Sequence, residues 1–166
     1  MSMRPGIERA LCLRIAEVFR RHGYTEENVV GTLGAATASV LNFARLGPMM
    51  QRTAAGRPLD TLIRVFIIGN RVEEATLAAI VAPTTVDEWC SLGVLERVDG
   101  QVRAALGIRA FGNFLLAADI ASRPGQGGIA DDFVMGMSPS TLGLASLTVR
   151  RPSRATLDLA SGGGYH

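Results

Sequence analysis

The first two-thirds of the chain carry apolar residues at the spacing of amphipathic helices. Within residues 6–23, GIERALCLRIAEVFRRHG, the apolar side chains share one helical face, and Gly23 follows as a C-terminal cap. The next segment, TEENVVGTLG, has Thr25 in an N-cap position with two acidic residues behind it, which favours a helix start. The positions of the first helix that we expect in the core are Leu11, Ile15, Val18 and Phe19.

Two further helical segments follow before the middle of the chain. Residues 35–54, AATASVLNFARLGPMMQRTA, have helical spacing. Gly47-Pro48 is expected to interrupt or end that helix, because proline lacks the N–H that a helix interior uses. Residues 58–70, PLDTLIRVFIIGN, are the most apolar stretch of the sequence, and they predict the central core helix.

The spacing changes from helical to strand-like near residue 98. Before that point, VEEATLAAI and TVDEWCSLGVLERV predict two short helices joined by VAPT, a helix-turn-helix layout. After it, GQVRAALGI and NFLLAADI are apolar runs separated by a glycine-containing turn, which predicts a β-hairpin. Helices followed by a hairpin predict a mainly helical, winged-helix-like domain over residues 1–122.

Residues 123–166 predict a linker and the start of a second unit. RPGQGG is typical of a flexible connection, so the domain boundary is placed at Arg123. DDFVMGMSPSTLGLASLTVRRP then predicts a strand, a tight turn and a short helix, and RATLDLASGGG predicts a strand followed by a glycine-rich loop. The fold class expected for the whole chain is α+β.

The composition indicates a globular protein, with 48% hydrophobic and 19% charged residues among 166. The N-terminus has no signal-peptide pattern, and no run reaches the roughly 18 apolar residues of a membrane span, so we expect a cytoplasmic protein without a membrane partner. Cys12 and Cys90 fit no metal-ligand spacing and are expected to be buried thiols, so no metal site is predicted. His22 is expected to interact with the C-terminal dipole of the first helix.

The charge is unevenly distributed, although the net charge is only +2. Residues 1–57 hold eight Arg and four acidic residues, whereas residues 58–132 hold six Arg and ten acidic residues. The second helix of the helix-turn-helix carries Asp87, Glu88 and Glu96 against Arg97. DNA binding through this helix is therefore not expected, because a DNA-reading helix presents cations to phosphates. Trp89 and Leu92 are interpreted as core residues.

The glycine-rich end of the sequence, LDLASGGG at residues 157–164, suggests a ligand-binding loop. A phosphate-binding P-loop is excluded because the sequence has no Lys. A dinucleotide fingerprint would need a further glycine, and Asp158 would not help to bind an anion. S-adenosylmethionine fits better, because a carboxylate suits its cationic methionine end and glycines allow close backbone approach. A dinucleotide and a glycine-rich tail without a ligand stay as alternatives.

The C-terminal residues, DDFVMGMSPSTLGLASLTVRRPSRATLDLASGGGYH, resemble the entry into the catalytic domain of bacterial class I S-adenosylmethionine-dependent methyltransferases of the small-domain type. PLDTLIRVFIIGNRVEEATLAAI and SLGVLERVDGQVRAALGIR also resemble the N-terminal domain of that group. The resemblance implies a cofactor loop, with Ala160 standing where the family usually has Gly, and a segment from Phe133 to Thr141 that lies over the cofactor. The implied loop residues are Asp158, Ala160, Ser161, Gly162 and Gly164.

This resemblance also implies that much of the catalytic domain is missing from the sequence. A Rossmann-like α/β methyltransferase domain needs about seven strands, and residues 123–166 hold only its truncated start, without the acidic residue that would bind the ribose hydroxyls. We therefore expect the N-terminal fragment of a methyltransferase, inactive alone, with unknown catalytic residues. Its accessory domain would present the methyl acceptor, either a macromolecule (protein or RNA) or a small molecule. The alternative is a non-catalytic helix-turn-helix module that binds DNA, RNA or protein and has a glycine-rich tail.

Overall fold

The chain combines helices with small antiparallel sheets, as expected for α+β. The computed structural model describes residues 5–34, 46–120, 133–136 and 138–147, together with Pro152 and Arg154. The helices are α1 (Pro5–Arg21), α2 (Glu26–Leu33), α3 (Leu46–Arg52), α4 (Pro58–Ile63), α5 (Glu74–Val81), α6 (Val86–Ser91) and α7 (Pro139–Leu147). The strands are β1 (Val72–Glu73), β2 (Leu95–Val98), β3 (Gln101–Ala104), β4 (Gly107–Phe111) and β5 (Phe114–Ala118).

Helices α1 and α2 form where the sequence predicts them. The four apolar positions predicted for the face of α1 are all buried. Gly23 follows α1 with a positive φ of 66°, a conformation that glycine adopts without strain. The hydroxyl of Thr25 then accepts the backbone N–H of Asn28 at 3.2 Å, so the predicted N-cap of α2 is confirmed.

Gly47 and Pro48 lie in the first turn of α3, and the predicted interruption of a longer helix at this point stays a prediction. Proline is tolerated there, since the first N–H groups of a helix have no partner within the helix. The part of the predicted helix from residue 35 to residue 45 lies outside the described residues.

The apolar stretch after Pro58 is the central core segment, as predicted. It begins as α4 and continues as a π-helix over Arg64–Ile68, which ends at Gly69 with a φ of 81°. Its apolar side chains Leu62, Ile63, Val65 and Phe66 are at most 1% exposed. At its start, the buried carboxylate of Asp60 accepts the backbone N–H of Arg57 and two guanidinium N–H groups at 2.9–3.1 Å.

The two short helices of the helix-turn-helix are α5 and α6, but the second one is shorter than the sequence suggested. Helix α6 begins with a reciprocal cap, in which Thr85 and Glu88 each accept the other's backbone N–H. It ends at Ser91, and the predicted helical residues LERV form β2. Gly93 ends the helix with a φ of 70°, and the backbone N–H groups of Gly93 and Val94 donate to the carbonyl oxygens of Cys90 and Trp89. The turn at Asp99 and Gly100, with φ values of 52° and 77°, then pairs β2 with β3 in a tight hairpin.

The strands form two antiparallel sheets. Strands β1, β3 and β2 lie side by side in that order, with Val72 opposite Val102. Strands β4 and β5 form a separate hairpin around the turn at Gly112 and Asn113, with Phe111 opposite Phe114. A hairpin with a glycine-containing turn was predicted here, but its expected first strand, GQVRAALGI, is divided between β3 and β4.

The core is built around four aromatic rings. Phe19 of α1 lies 4.8 Å from Tyr24, 5.1 Å from Phe66 and 5.6 Å from Trp89 between ring centroids. The prediction that Trp89 is a core residue is confirmed, since its side chain is fully buried. Leu92 packs against the same core and is partly buried.

The second predicted unit is described only in part. Helix α7 confirms the predicted short helix, whereas residues 133–136 belong to no helix or strand, so the strand predicted there is not present over those residues. The proposed boundary at Arg123 and the predicted final strand lie outside the described residues. No helix among the described residues has both the length and the apolar character needed to cross a membrane.

Candidate functional site

The residues that follow β5 pack against the hydrophobic core. Ile120 follows β5 and packs, partly buried, against the hydrophobic core. A Cβ atom on Gly107 would lie 3.4 Å from Cγ1 of Ile120 and 3.5 Å from the carbonyl oxygen of Phe66. Glycine at this position therefore lets strand β4, the π-helix and Ile120 approach one another closely.

Residues 133–136 lie next to the same end of β5. The backbone N–H of Asp119 donates to the carbonyl oxygen of Val134 at 3.0 Å. In return, the backbone N–H of Val134 donates to Oδ2 of Asp119 at 2.7 Å. Gly136 lies beyond this pair, where an added Cβ would be 3.5 Å from Cβ of Ala118. Residues 134–136 thus run back alongside the end of β5.

Helix α7 starts from a cluster of hydroxyl groups. Oγ of Ser138 accepts the backbone N–H of Thr141 at 3.2 Å, which is the geometry of an N-cap, and Pro139 occupies the first helical position. The same oxygen lies 2.8 Å from Oγ of Ser140 and 3.0 Å from Oγ1 of Thr141. The Thr141 hydroxyl is therefore held at the start of the helix.

The described part of the predicted cofactor site consists of Phe133 and Thr141. Both side chains are half-buried, and neither belongs to the hydrophobic core of the described residues. The other predicted cofactor residues, Asp158, Ala160, Ser161, Gly162 and Gly164, lie outside the described residues.

The segment that contains these two residues exposes apolar side chains. Helix α7 has no charged residue in its sequence, PSTLGLASL. Its Leu144 and Leu147 are 57% and 80% exposed, and Met135 just before it is 65% exposed. Neighbouring exposed apolar side chains are common where a further layer of protein or a ligand packs.

The helix-turn-helix surface is acidic, but its charges are paired within the chain. Arg97 donates to the carboxylates of both Glu74 and Asp87, each at 2.7 Å. Arg14 of α1 forms an ion pair with Glu88 of α6. These guanidinium groups hold the pKa values of the Glu74 and Glu88 carboxyls below their usual range.

Asp87 remains the most solvent-accessible acid of this surface, with a side chain that is 81% exposed. Because Asp87 is anionic and the nearby Arg97 is already bound to carboxylates, α6 presents no cationic surface to a polyanion. That this helix does not read DNA stays a prediction.

Helix α1 also covers the C-terminal end of α5. Nη2 of Arg21 donates to the carbonyl oxygens of Ile80, at 3.1 Å, and of Ala82. Nε2 of His22 lies 2.9 Å from the same Ile80 oxygen and is the donor, since a carbonyl can only accept. The expectation for His22 is therefore corrected: its ring binds the end of α5 rather than that of its own helix.

The thiols and acidic groups of the described residues differ in their exposure and do not cluster. Among those residues, no three His, Cys, Asp or Glu side chains cluster as metal ligands would. Cys12 is exposed, so the expectation that it is buried is wrong: it lies on the solvent side of α1. Cys90 is partly buried, and burial raises the pKa of its thiol, which disfavours the reactive thiolate.

Two residues that organise this site were not identified from the sequence. Ser138 could have been found, because Ser followed by Pro is typical of a helix N-cap and its first turn. Asp119 could not, since its partner Val134 is distant in sequence and nothing in the local pattern links them.

One family model matches the chain. It is described as a domain of unknown function (DUF7059), and it matches residues 21–105, just over half of the sequence. The matched region runs from the end of α1 to the end of β3, so it includes the helix-turn-helix and does not reach α7. No curated protein and no solved structure matches the chain.

Proposed function

We propose that this chain, which belongs to the DUF7059 family, is the accessory domain and the beginning of the cofactor site of an S-adenosylmethionine-dependent methyltransferase. The observation that carries the proposal is the segment from Phe133 to Leu147. It is anchored to the end of β5, it contains a capped helix, and it exposes Leu144 and Leu147. An uncharged, solvent-exposed helix of this kind suits the boundary between an accessory domain and a catalytic domain that packs on it.

The roles of the cofactor residues follow from their chemistry. The carboxylate of Asp158 would accept hydrogen bonds from the ammonium group of the methionine moiety. Gly162 and Gly164 would let the loop backbone approach the cofactor, with Ala160 and Ser161 shaping the turn between strand and loop. Phe133 and Thr141 would cover the bound cofactor. S-adenosylmethionine supplies an electrophilic methyl group on a sulfonium, which the acceptor attacks as S-adenosylhomocysteine leaves.

The accessory domain is proposed to be a winged-helix module. From α4 onward the order is helix, strand, helix, helix, strand, strand, and the three strands lie in the order β1-β3-β2. The turn at Asp99 and Gly100 would be the wing. In many winged-helix proteins the equivalent of α6 enters a DNA groove. Here Asp87 and the Arg14–Glu88 ion pair occupy that surface, so a protein or small-molecule methyl acceptor fits better than DNA.

The proposal is tested first by the reading frame that encodes the chain. It requires that the frame continue past His166 with a helix and with a strand that ends in Asp or Glu roughly twenty residues on. A stop codon directly after His166 would overturn it.

A binding measurement tests the cofactor site itself. The protein produced from the complete frame should bind S-adenosylmethionine in a calorimetric titration, and Asp158→Ala should weaken that binding at least about tenfold by removing a charge-assisted hydrogen bond. Asp99→Asn, in the proposed wing, is the matched control and should bind as the unaltered protein does. Equal binding by the Asp158 variant would contradict the assigned role.

A second candidate function is a non-catalytic binding module, which the order of helices and strands from α4 to β3 also favours. It predicts that the complete protein fails to bind S-adenosylmethionine yet captures a protein or RNA partner through the region matched by the family model. Binding of the cofactor in the titration above decides between the two.

A further inference from the structure

We infer that Asp119 is a positioning residue that fixes the cofactor-covering segment, residues 133–136 and 138–141, to the accessory domain. The inference rests on the proposed function for its catalytic consequence, but the contact itself is independent of that function. Asp119 makes two hydrogen bonds with Val134, one through its backbone and one through its side chain.

Contacts of the two neighbouring residues hold the backbone of Asp119 in place. The residue before it, Ala118, pairs with Gly107 of β4, and the residue after it, Ile120, packs against the core. A Cβ atom on Gly107 would contact both Cγ1 of Ile120 and the carbonyl oxygen of Ala118, at 3.4 and 3.5 Å. The backbone of Asp119 is thus held on both sides by groups of the accessory domain.

The bond from Val134 to Asp119 has the features of a specific contact. Its N···Oδ2 distance is 2.7 Å, short for an N–H donor, as is usual when the acceptor is a carboxylate. Because the other bond runs in the opposite direction, the pair fixes both the register and the orientation of the returning chain. A residue without a short acceptor at position 119 would keep only the backbone bond.

This contact connects the two parts of the proposed enzyme. Residues 121–132 lie between the two bonded residues and outside the described part of the chain. After Val134 the chain passes Gly136, which approaches Ala118, and enters α7 through Ser138. The place of Phe133 and Thr141 relative to the accessory domain therefore depends on the Asp119–Val134 pair.

Hydrogen exchange of the full chain measures the contact directly. Asp119→Ala should make the amide of Val134 exchange at least about tenfold faster, while the amides around Phe66 keep their protection. Asp119→Asn retains an acceptor oxygen and should restore most of the protection. Glu27→Ala removes one exposed negative charge elsewhere and serves as the matched control.

The outcomes separate the contact from the function. Unchanged exchange at Val134 in the alanine variant, with the core intact, overturns the inference. If the alanine variant loses protection throughout the core, Asp119→Asn is compared with Asp119→Glu, because the glutamate side chain is too long for this geometry. Faster exchange of the Val134 amide in the glutamate variant supports the inference. Equal exchange of that amide in both variants overturns it.

Cofactor binding provides the second measurement, in the protein produced from the complete reading frame. Asp119→Ala should weaken the affinity for S-adenosylmethionine about fivefold or more, and the asparagine variant should recover it, whereas Glu27→Ala should leave it unchanged. Unchanged affinity in the alanine variant contradicts the positioning role. No cofactor binding by the unaltered protein contradicts the proposed function and leaves the exchange experiment as the measure of the Asp119–Val134 contact.

Discussion

The indole N–H of Trp89 donates a 2.7 Å hydrogen bond to the hydroxyl of Thr84, and both side chains are buried. The Thr84 hydroxyl in turn donates to the carbonyl oxygen of Val81, the last residue of α5. Trp89 also packs against Phe19 and Phe66. One buried hydroxyl therefore joins the end of α5 to the helix that follows it and to the aromatic core.

Replacing the Thr84 hydroxyl should lower the free energy of unfolding. Thr84→Val keeps the shape of the side chain but leaves the buried indole N–H without its acceptor, so we expect a loss of about 1–3 kcal/mol in the free energy of unfolding. Urea unfolding followed by the fluorescence of Trp89, the one tryptophan in the sequence, measures it. Thr84→Ser retains the hydroxyl and should lose less. A loss in Thr84→Ser as large as that in Thr84→Val would contradict the prediction, because the serine variant keeps the hydroxyl that accepts the indole N–H.

The buried carboxylate of Asp60 should make stability depend on acid pH. The hydrogen bonds from the Arg57 side chain hold the pKa of the Asp60 carboxyl below its usual range. Its contribution is therefore present above the unfolded pKa, about 3.9, and is lost as the pH falls through the lower folded value. Asp60→Asn should cost about 1–2 kcal/mol at pH 7, and the gap from the unaltered protein should narrow at pH 3. Urea unfolding at both pH values tests this, and a constant gap would contradict it.

Tyr24 should contribute a dependence on alkaline pH. Its hydroxyl donates to the carbonyl oxygen of Ile108 at 2.6 Å, and burial raises the pKa of its phenol. The folded state then holds the proton that the unfolded state releases above about pH 10, so stability falls as the pH rises beyond that value. Tyr24→Phe should cost about 1–2 kcal/mol at pH 7 and should flatten this alkaline decline. A decline of the same slope in the variant would assign it to other groups.

Sequence patterns correctly predicted those elements of the fold that depend on interactions between residues close together in the chain. The buried face of α1, the Thr25 cap and the apolar stretch around Phe66 could be located because helical spacing and capping chemistry act over a few residues. The strand β2 was misread as helix because Gly93, which follows α6 with a φ of 70°, was not taken as the end of the helix. Together with Gly93, the Asp99-Gly100 pair was a signal that could have corrected it.

Contacts between distant residues could not be predicted in this way. The ring of His22 and the side chain of Arg21 bind the end of α5, and Arg14 pairs with Glu88, because tertiary packing brings α1 onto the helix-turn-helix. The same holds for the candidate site, where the Asp119–Val134 pair depends on how the chain returns to β5. The sequence predicted Phe133 and Thr141 as cofactor residues, and the structure adds the hydrogen bonds that hold the segment containing them.

Any RNA binding by the chain should be weak, salt-dependent and confined to the basic N-terminal helices. Residues 1–57 hold the excess of Arg, but the structure uses several of these side chains internally. Arg20 pairs with Glu17, Arg57 pairs with Asp60, and Arg21 binds the α5 carbonyls. Charge reversal at Arg21 would therefore disturb the fold, whereas Arg9 and Arg52 are exposed and lie outside these ion pairs.

The double variant Arg9→Glu with Arg52→Glu is thus the appropriate test. Titration of the chain with a mixed RNA pool at two salt concentrations should give a dissociation constant weaker than about 10 µM at physiological salt, with a steep loss of affinity as salt rises. The double variant should weaken this binding several-fold further. Asp87→Arg, which makes the surface of α6 more cationic, should leave it equal or tighter. Tight binding at physiological salt that Asp87→Arg abolishes, and that the double variant leaves unchanged, would place the RNA contact on the helix-turn-helix instead.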